Sequence, residues 1–199
     1  NSTFSVRVTS STETDTYSAI AAGIGSLKGP LHGGANIEVK GMLDDLKKNV
    51  NNWEDVGEVD NYLLRVLKKE AHDKTGLIYG IGHAVYTISD PRAGLLKEMA
   101  RDLEFALMEL VEERAIKTFM DFKGEGAKQT CINVDFYSGF VYDAIGLPEE
   151  VFTPLFAMAR IVGWTAHRIE ELNFTSKRII RPAYKNVRER QSFIPIAER

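Results

Sequence analysis

Cysteine is almost missing from this chain: Cys131 is the only one in 199 residues. It can make no internal disulfide, and it suits a reducing compartment such as the cytoplasm, or the mitochondrial matrix in a eukaryote. Its ordinary role is that of a buried structural thiol. With no second cysteine, and with four histidines at spacings that fit no zinc pattern, no metal is expected. No apolar run reaches the roughly 18 residues of a membrane helix. Residues 1–11 are too polar for a signal peptide. An excess of positive charge is lacking too. The net charge is −3 and the pI about 5.9, which argues against the basic stripe of a nucleic-acid surface. There is no GxSxG nucleophile motif, no internal repeat and no low-complexity stretch. There is also no initiator Met, and the run Thr3 to Val8 begins in mid-pattern, as expected of a fragment or a processed product.

What is present is a 44% hydrophobic chain, enough for one core or for two smaller lobes. Strand signals are few, and the expected fold class is all-α, helices packed on helices. Phe4, Val6 and Val8 alternate, but a helix or extended lead-in suits the rest of the chain better. Residues 14–27 are rich in Ala, Gly and Ser. Each glycine weakens a helix there by about 1 kcal/mol relative to Ala, so packing must hold it. Further helices are predicted over 37–48 and 61–72, with a polar connector over 49–59. Asp90 caps a helix whose first position is Pro91. Leu96, Met99, Leu103, Leu107 and Leu110 recur at steps of three and four, which predicts one long helix. Residues 122–130 read as a connector, 136–145 and 149–172 as helices, and the tail after Phe174 as irregular and basic.

Three loops of small residues each carry one proton-handling group: GPLHGGAN (29–36) with His32, GIGHAVY and DPR (80–92) with His83 and Arg92, and NVDFYSG (133–139) with Asp135. The glycines around His32 leave the backbone open to a ligand, and a helix N-terminus follows, which favours negative charge. A histidine there can donate to a developing enolate oxygen. A histidine in a functionless tight turn fits the same spacing. The GxG before His83 lacks the context of a dinucleotide fingerprint, and a structural turn explains that segment alone. Asp135 reads either as a general base or as the N-cap of the helix that follows. Arg92, Arg160 and Arg181 sit by apolar segments, and guanidinium forks bind carboxylates, so the set suits a small polycarboxylate. A surface arginine with a buried stem is the ordinary alternative for each.

Taken together, these segments resemble the C-terminal half of citrate synthase over essentially the whole chain. The most specific parts are GPLHGGAN, GHAVY…DPR, NVDFYSG and the late Arg181-Pro182. The resemblance implies an all-helical homodimer with its site between a large and a small domain. Residues 33–138 would form the small domain, and 1–32 and 139–199 parts of the large one. It also implies condensation of acetyl-CoA with oxaloacetate and hydrolysis of citryl-CoA, with acetyl-CoA a substrate and no cofactor. Neither nucleic acid nor membrane would be a partner. Asp135 resembles the base, His32 the donor to the thioester oxygen, and His83 the donor to the oxaloacetate carbonyl. Arg92 and Arg160 resemble carboxylate ligands, and Arg181 the arginine contributed across the dimer. Leu77, Ile78, Tyr79, Gly80, Ile81 and Gly82 resemble the loop that recognises the adenine of CoA, and Lys128 a lysine near its phosphates.

There are departures from the family pattern. A further oxaloacetate histidine of the family would fall just before Asn1. Thr87 stands where several relatives carry a basic residue four positions after His83. The chain as it stands is therefore expected to bind substrate poorly. Competing readings are a 2-methylcitrate synthase using propionyl-CoA, a citryl-CoA lyase-type domain, and a non-catalytic helical dimerisation piece.

Overall fold

A computed structural model describes residues 1–101, 105–183, 185, 187 and 192–198. Among them lie eight α-helices and no strand, only an isolated antiparallel bridge between Ile81 and Ile132. The helices are α1 (Ser2–Ser10), α2 (Thr16–Leu27), α3 (Ala35–Asn49), α4 (Val56–Leu67), α5 (Pro91–Ala100), α6 (Ala106–Lys123), α7 (Val134–Ala144) and α8 (Phe152–Leu172). No helix is long and apolar enough to cross a membrane among the described residues.

Side-chain caps set several helix starts. Asp15 caps α2 by accepting the Ser18 N–H at 2.9 Å, and Asp55 caps α4 through Gly57 and Glu58. Asp90 caps α5 with Pro91 at its first position. α3 instead starts at Gly34 with no side-chain cap, directly after the His32 turn.

Two separate hydrophobic clusters hold the fold. The larger is built from α3 to α7, with Met42, Leu46, Leu63, Met108 and Phe136 among its fully buried members. The smaller joins Val6 of α1, Ala19 and Leu27 of α2, and Trp164 of α8. Each fully buried side chain of this size contributes roughly 1.5–3 kcal/mol. Glycines permit two of the closest approaches. A Cβ on Gly139 would lie 2.3 Å from the Asn36 carbonyl oxygen, so α7 can lie on α3 only without one. A Cβ on Gly23 would lie 2.6 Å from Val6.

The sequence-based expectations hold for fold class and for most helices, the helical lead-in included: Val6 is buried and Phe4 is not, a helical rather than a strand-like division. Three elements differ. α4 begins at Val56 and ends at Leu67, because Asp55 starts a polar first turn that hides the helix until Val59. The helix expected after Pro91 is two helices, α5 against α7 and α6 against α4. One straight rod could not lie on both partners. Leu103, part of that periodicity, lies outside the described residues. Finally, a 3₁₀ turn at Glu149–Val151 precedes α8.

Candidate active site

The NVDFYSG segment opens α7, and its cap is Asn133 rather than Asp135. The Asn133 side-chain oxygen accepts the Asp135 N–H at 3.0 Å. Its amide nitrogen donates to the Gly82 carbonyl at 2.9 Å. The neighbouring backbone repeats this link: Gly82 N–H donates to the Cys131 carbonyl, and Asn133 N–H to the Gly80 carbonyl, both at 2.8 Å. Residues 80–82 and 131–133 therefore form a short ribbon that fixes the His83 loop beside the start of α7. Gly80 has a φ of +82°, and a Cβ there would meet Phe136 at 2.8 Å, so glycine is required at this join.

With capping done by Asn133, the Asp135 carboxylate is free for other work. Burial raises its pKa to about 6, against the opposing pull of Arg160 and Arg92. A carboxylate in that range is suited to act as a base near neutral pH.

His83 is held by two backbone donors. Its Nδ1 accepts the N–H groups of Val85 and Tyr86, each at 3.0 Å, and the ring lies against Tyr86. Neutral His83 must then carry its proton on Nε2. That nitrogen lies 3.3 Å from Nη2 of Arg92, itself a donor. Two donors thus converge on one space, and an acceptor oxygen placed there satisfies both.

His32 shows the opposite arrangement. Its Nε2 lies 3.3 Å from the Ser2 N–H and 3.1 Å from the Ser2 hydroxyl oxygen. Arg160 donates to that hydroxyl oxygen at 3.2 Å, which leaves the hydroxyl hydrogen for His32. Nε2 is the acceptor, so the ring proton sits on Nδ1. Burial lowers the His32 pKa, and the Arg160 charge lowers it further. The ring is therefore a neutral donor, not a cation, at neutral pH.

Arg160 also lies 4.5 Å above the Phe156 ring. Burial lowers its pKa; Arg92 acts in the same direction and Asp135 against it. Arg160, Arg92 and Asp135 thus share one electrostatic environment. His32, Ser2 and Arg160 hang from the elements of the smaller cluster, and His83, Arg92 and Asp135 from those of the larger one, so the site bridges the two.

Other residues singled out in the sequence lie elsewhere. Lys128 is exposed after α6, beside Lys123 and Phe119 around a cavity of about 350 Å³. Arg181 is exposed in the irregular tail. Of the 77–82 loop, Leu77 and Tyr79 reach the surface, Ile78 packs into the larger cluster, and the Tyr79 hydroxyl donates to Asp73. Glu38, His72 and Asp73 have the mutual spacing of a cation site among the described residues. The oxygens of Asp73, however, already accept from Thr75 and Tyr79. Sequence reasoning missed Ser2 and Asn133. A serine in a polar start carries no signal, whereas an Asn two residues before Asp135 at a helix start was a readable cap.

The comparisons with known proteins agree with one another. Residues 1–183 match the family description "Citrate synthase, C-terminal domain". A citrate synthase of Synechocystis sp. is 43% identical over 202 residues, covering 100% of this chain and 47% of that protein. A 2-methylcitrate synthase of Corynebacterium glutamicum is 39% identical over 214 residues, covering 100% of this chain and 48% of that protein. Among solved structures, the citrate synthase of Thermotoga maritima superposes with a TM-score of 0.78 at 35% identity, covering 100% of this chain and 51% of that one. The Thermoplasma acidophilum citrate synthase, solved in ternary complex with carboxymethyl coenzyme A and oxaloacetate, gives 0.74 at 32% identity, covering 100% of this chain and 50% of that one. The chain spans about half the length of the curated relatives it matches. Motifs, helical architecture and comparisons together place this chain in the citrate synthase family, as its C-terminal domain.

Proposed function

We propose that the full-length protein carrying this chain condenses acetyl-CoA with oxaloacetate and hydrolyses the resulting citryl-CoA to citrate and CoA, as an acyltransferase. The observation that carries this reading is the half-buried Asp135, with a pKa near 6, within electrostatic reach of Arg160, which shares the Ser2 hydroxyl with His32, and of Arg92, which lies 3.3 Å from His83. A thioester methyl is a weak acid, and a carboxylate alone does not ionise it at a useful rate. Asp135 takes the methyl proton while Nδ1–H of His32 donates to the thioester oxygen. Such a donor is worth about 10²–10³ in rate. Nε2–H of His83, next to Arg92, polarises the ketone oxygen of oxaloacetate. The enolate carbon attacks that carbonyl as the thioester C=O re-forms, and the new alkoxide takes a proton from His83. Water then cleaves the thioester and releases the CoA thiol.

In this reading Arg92 and Arg160 hold the carboxylates of oxaloacetate, and Arg181 reaches the site of the partner subunit in a homodimer. The backbone of residues 77–82 receives the adenine of CoA, and Lys128 its phosphates. Neither a metal nor a resident cofactor takes part. Residues 33–138 act as a small domain that closes on the remainder, with α7 running unbroken through that boundary. The protein works in the cytoplasm or the mitochondrial matrix.

Full-length protein mixed with acetyl-CoA and oxaloacetate should release free thiol only when both are present. No release would refute the reading. The 39% identity to a 2-methylcitrate synthase favours a second reading, propionyl-CoA as the acyl donor. A higher kcat/KM with propionyl-CoA than with acetyl-CoA would establish it.

A further inference from the structure

Asp90 does more than cap α5. Its side chain is fully buried. Oδ1 accepts the Arg92 backbone N–H and Arg92 Nε–H, both at 3.0 Å. Oδ2 accepts Arg92 Nη2–H at 2.9 Å and the Val134 backbone N–H at 3.1 Å. Val134 is the first residue of α7 and the neighbour of Asp135. Its N–H is one of those a helix start cannot bond internally. One buried carboxylate therefore grips both the guanidinium beside His83 and the helix end that carries Asp135.

We propose that Asp90 is a positioning residue that locks Arg92 and Asp135 into one rigid unit, keeping the carboxylate grip and the base in register. This rests on the condensation reading given above. A simple capping role makes a different prediction. Asn caps helices about as well as Asp, so Asp90→Asn spares the cap. With the cap kept by the remaining oxygen, the amide nitrogen takes the Oδ2 position and opposes both Arg92 Nη2–H and the Val134 N–H. The substitution also removes the charge that pairs with Arg92. The groups facing Asp135 are Arg92 and Asp90 from the start of α5, Arg160 from α8 and Tyr142 from α7 itself. Losing the Asp90 charge and freeing Arg92 both favour ionised Asp135.

The test uses full-length protein, with thiol release followed for wild type and Asp90→Asn. In the variant, kcat/KM for oxaloacetate should fall about 10²-fold, the cost of misplacing reacting groups by an ångström. KM for oxaloacetate should rise, and the acid limb of the pH profile should move to lower pH. A silent wild type would sink the condensation reading and this proposal with it. An active wild type with an unchanged Asp90→Asn variant would overturn the proposal alone. If Asp90→Asn does not fold, Val134→Pro replaces it. Proline is tolerated at the first helical position, and Asn133 before it is extended (φ −107°, ψ 178°). That variant deletes the α7 donor and leaves the Arg92 bonds, so kcat should fall while KM for oxaloacetate holds. An unchanged kcat would overturn the proposal.

Discussion

Asp135 is kept at an energetic disadvantage by folding. Its pKa rises from 3.8 to about 6 because burial penalises the charged form. Between those two values the folded state holds a proton that the unfolded state has released. Stability from this group is therefore complete below pH 3.8 and is lost as pH rises to about 6. A shift of that size corresponds to about 3 kcal/mol at most. Asp135→Asn removes the penalty, so above that window it should raise the denaturation midpoint while abolishing nearly all thiol release. A variant that is both less stable and still active would contradict this account. For wild type, kcat/KM should fall as pH drops through about 6, where the base takes up its proton.

At the scale of elements, the site depends on how closely α7 lies on α3. Gly139→Ala puts a Cβ against the Asn36 carbonyl, and should destabilise the protein by about 1–3 kcal/mol in denaturant unfolding. Gly94→Ala in α5 meets nothing within 4 Å, and should stabilise by about 0.4–1 kcal/mol. Equal effects at the two glycines would contradict the close-approach argument. The same scale explains what could be read in advance. His32, His83, Arg92 and Asp135 stand in loops whose small residues and helix-start chemistry are local, so the sequence exposes them. The break between α5 and α6 is not local: an unbroken apolar repeat from Leu96 to Leu110 hides it, and only the different partners of the two helices reveal it. Likewise Asp90 reads as a plain cap, because its bond to Val134 spans 44 residues. Ser2 meets His32 across 30.

At the scale of the molecule, two hydrophobic clusters carry the two halves of the site. Lys40 of α3 bonds Asp44 and Glu149, which ties the larger cluster to the turn that leads into α8. Such an arrangement suits closure around a small substrate, which would exclude water from the enolisation step of the proposed reaction. Oxaloacetate alone should therefore reduce the radius of gyration of the full-length protein in solution scattering. An unchanged radius would argue against closure.

The central claim is that His32, His83 and Asp135 address one pair of substrates. A crystal structure of the full-length protein with oxaloacetate and an unreactive acyl-CoA analogue tests it most directly. The account predicts the ketone oxygen between His83 Nε2 and Arg92 Nη2, the acyl oxygen on His32 Nδ1, and the acyl carbon facing the Asp135 carboxylate. Ligands bound elsewhere, with the three side chains turned to separate spaces, would contradict it.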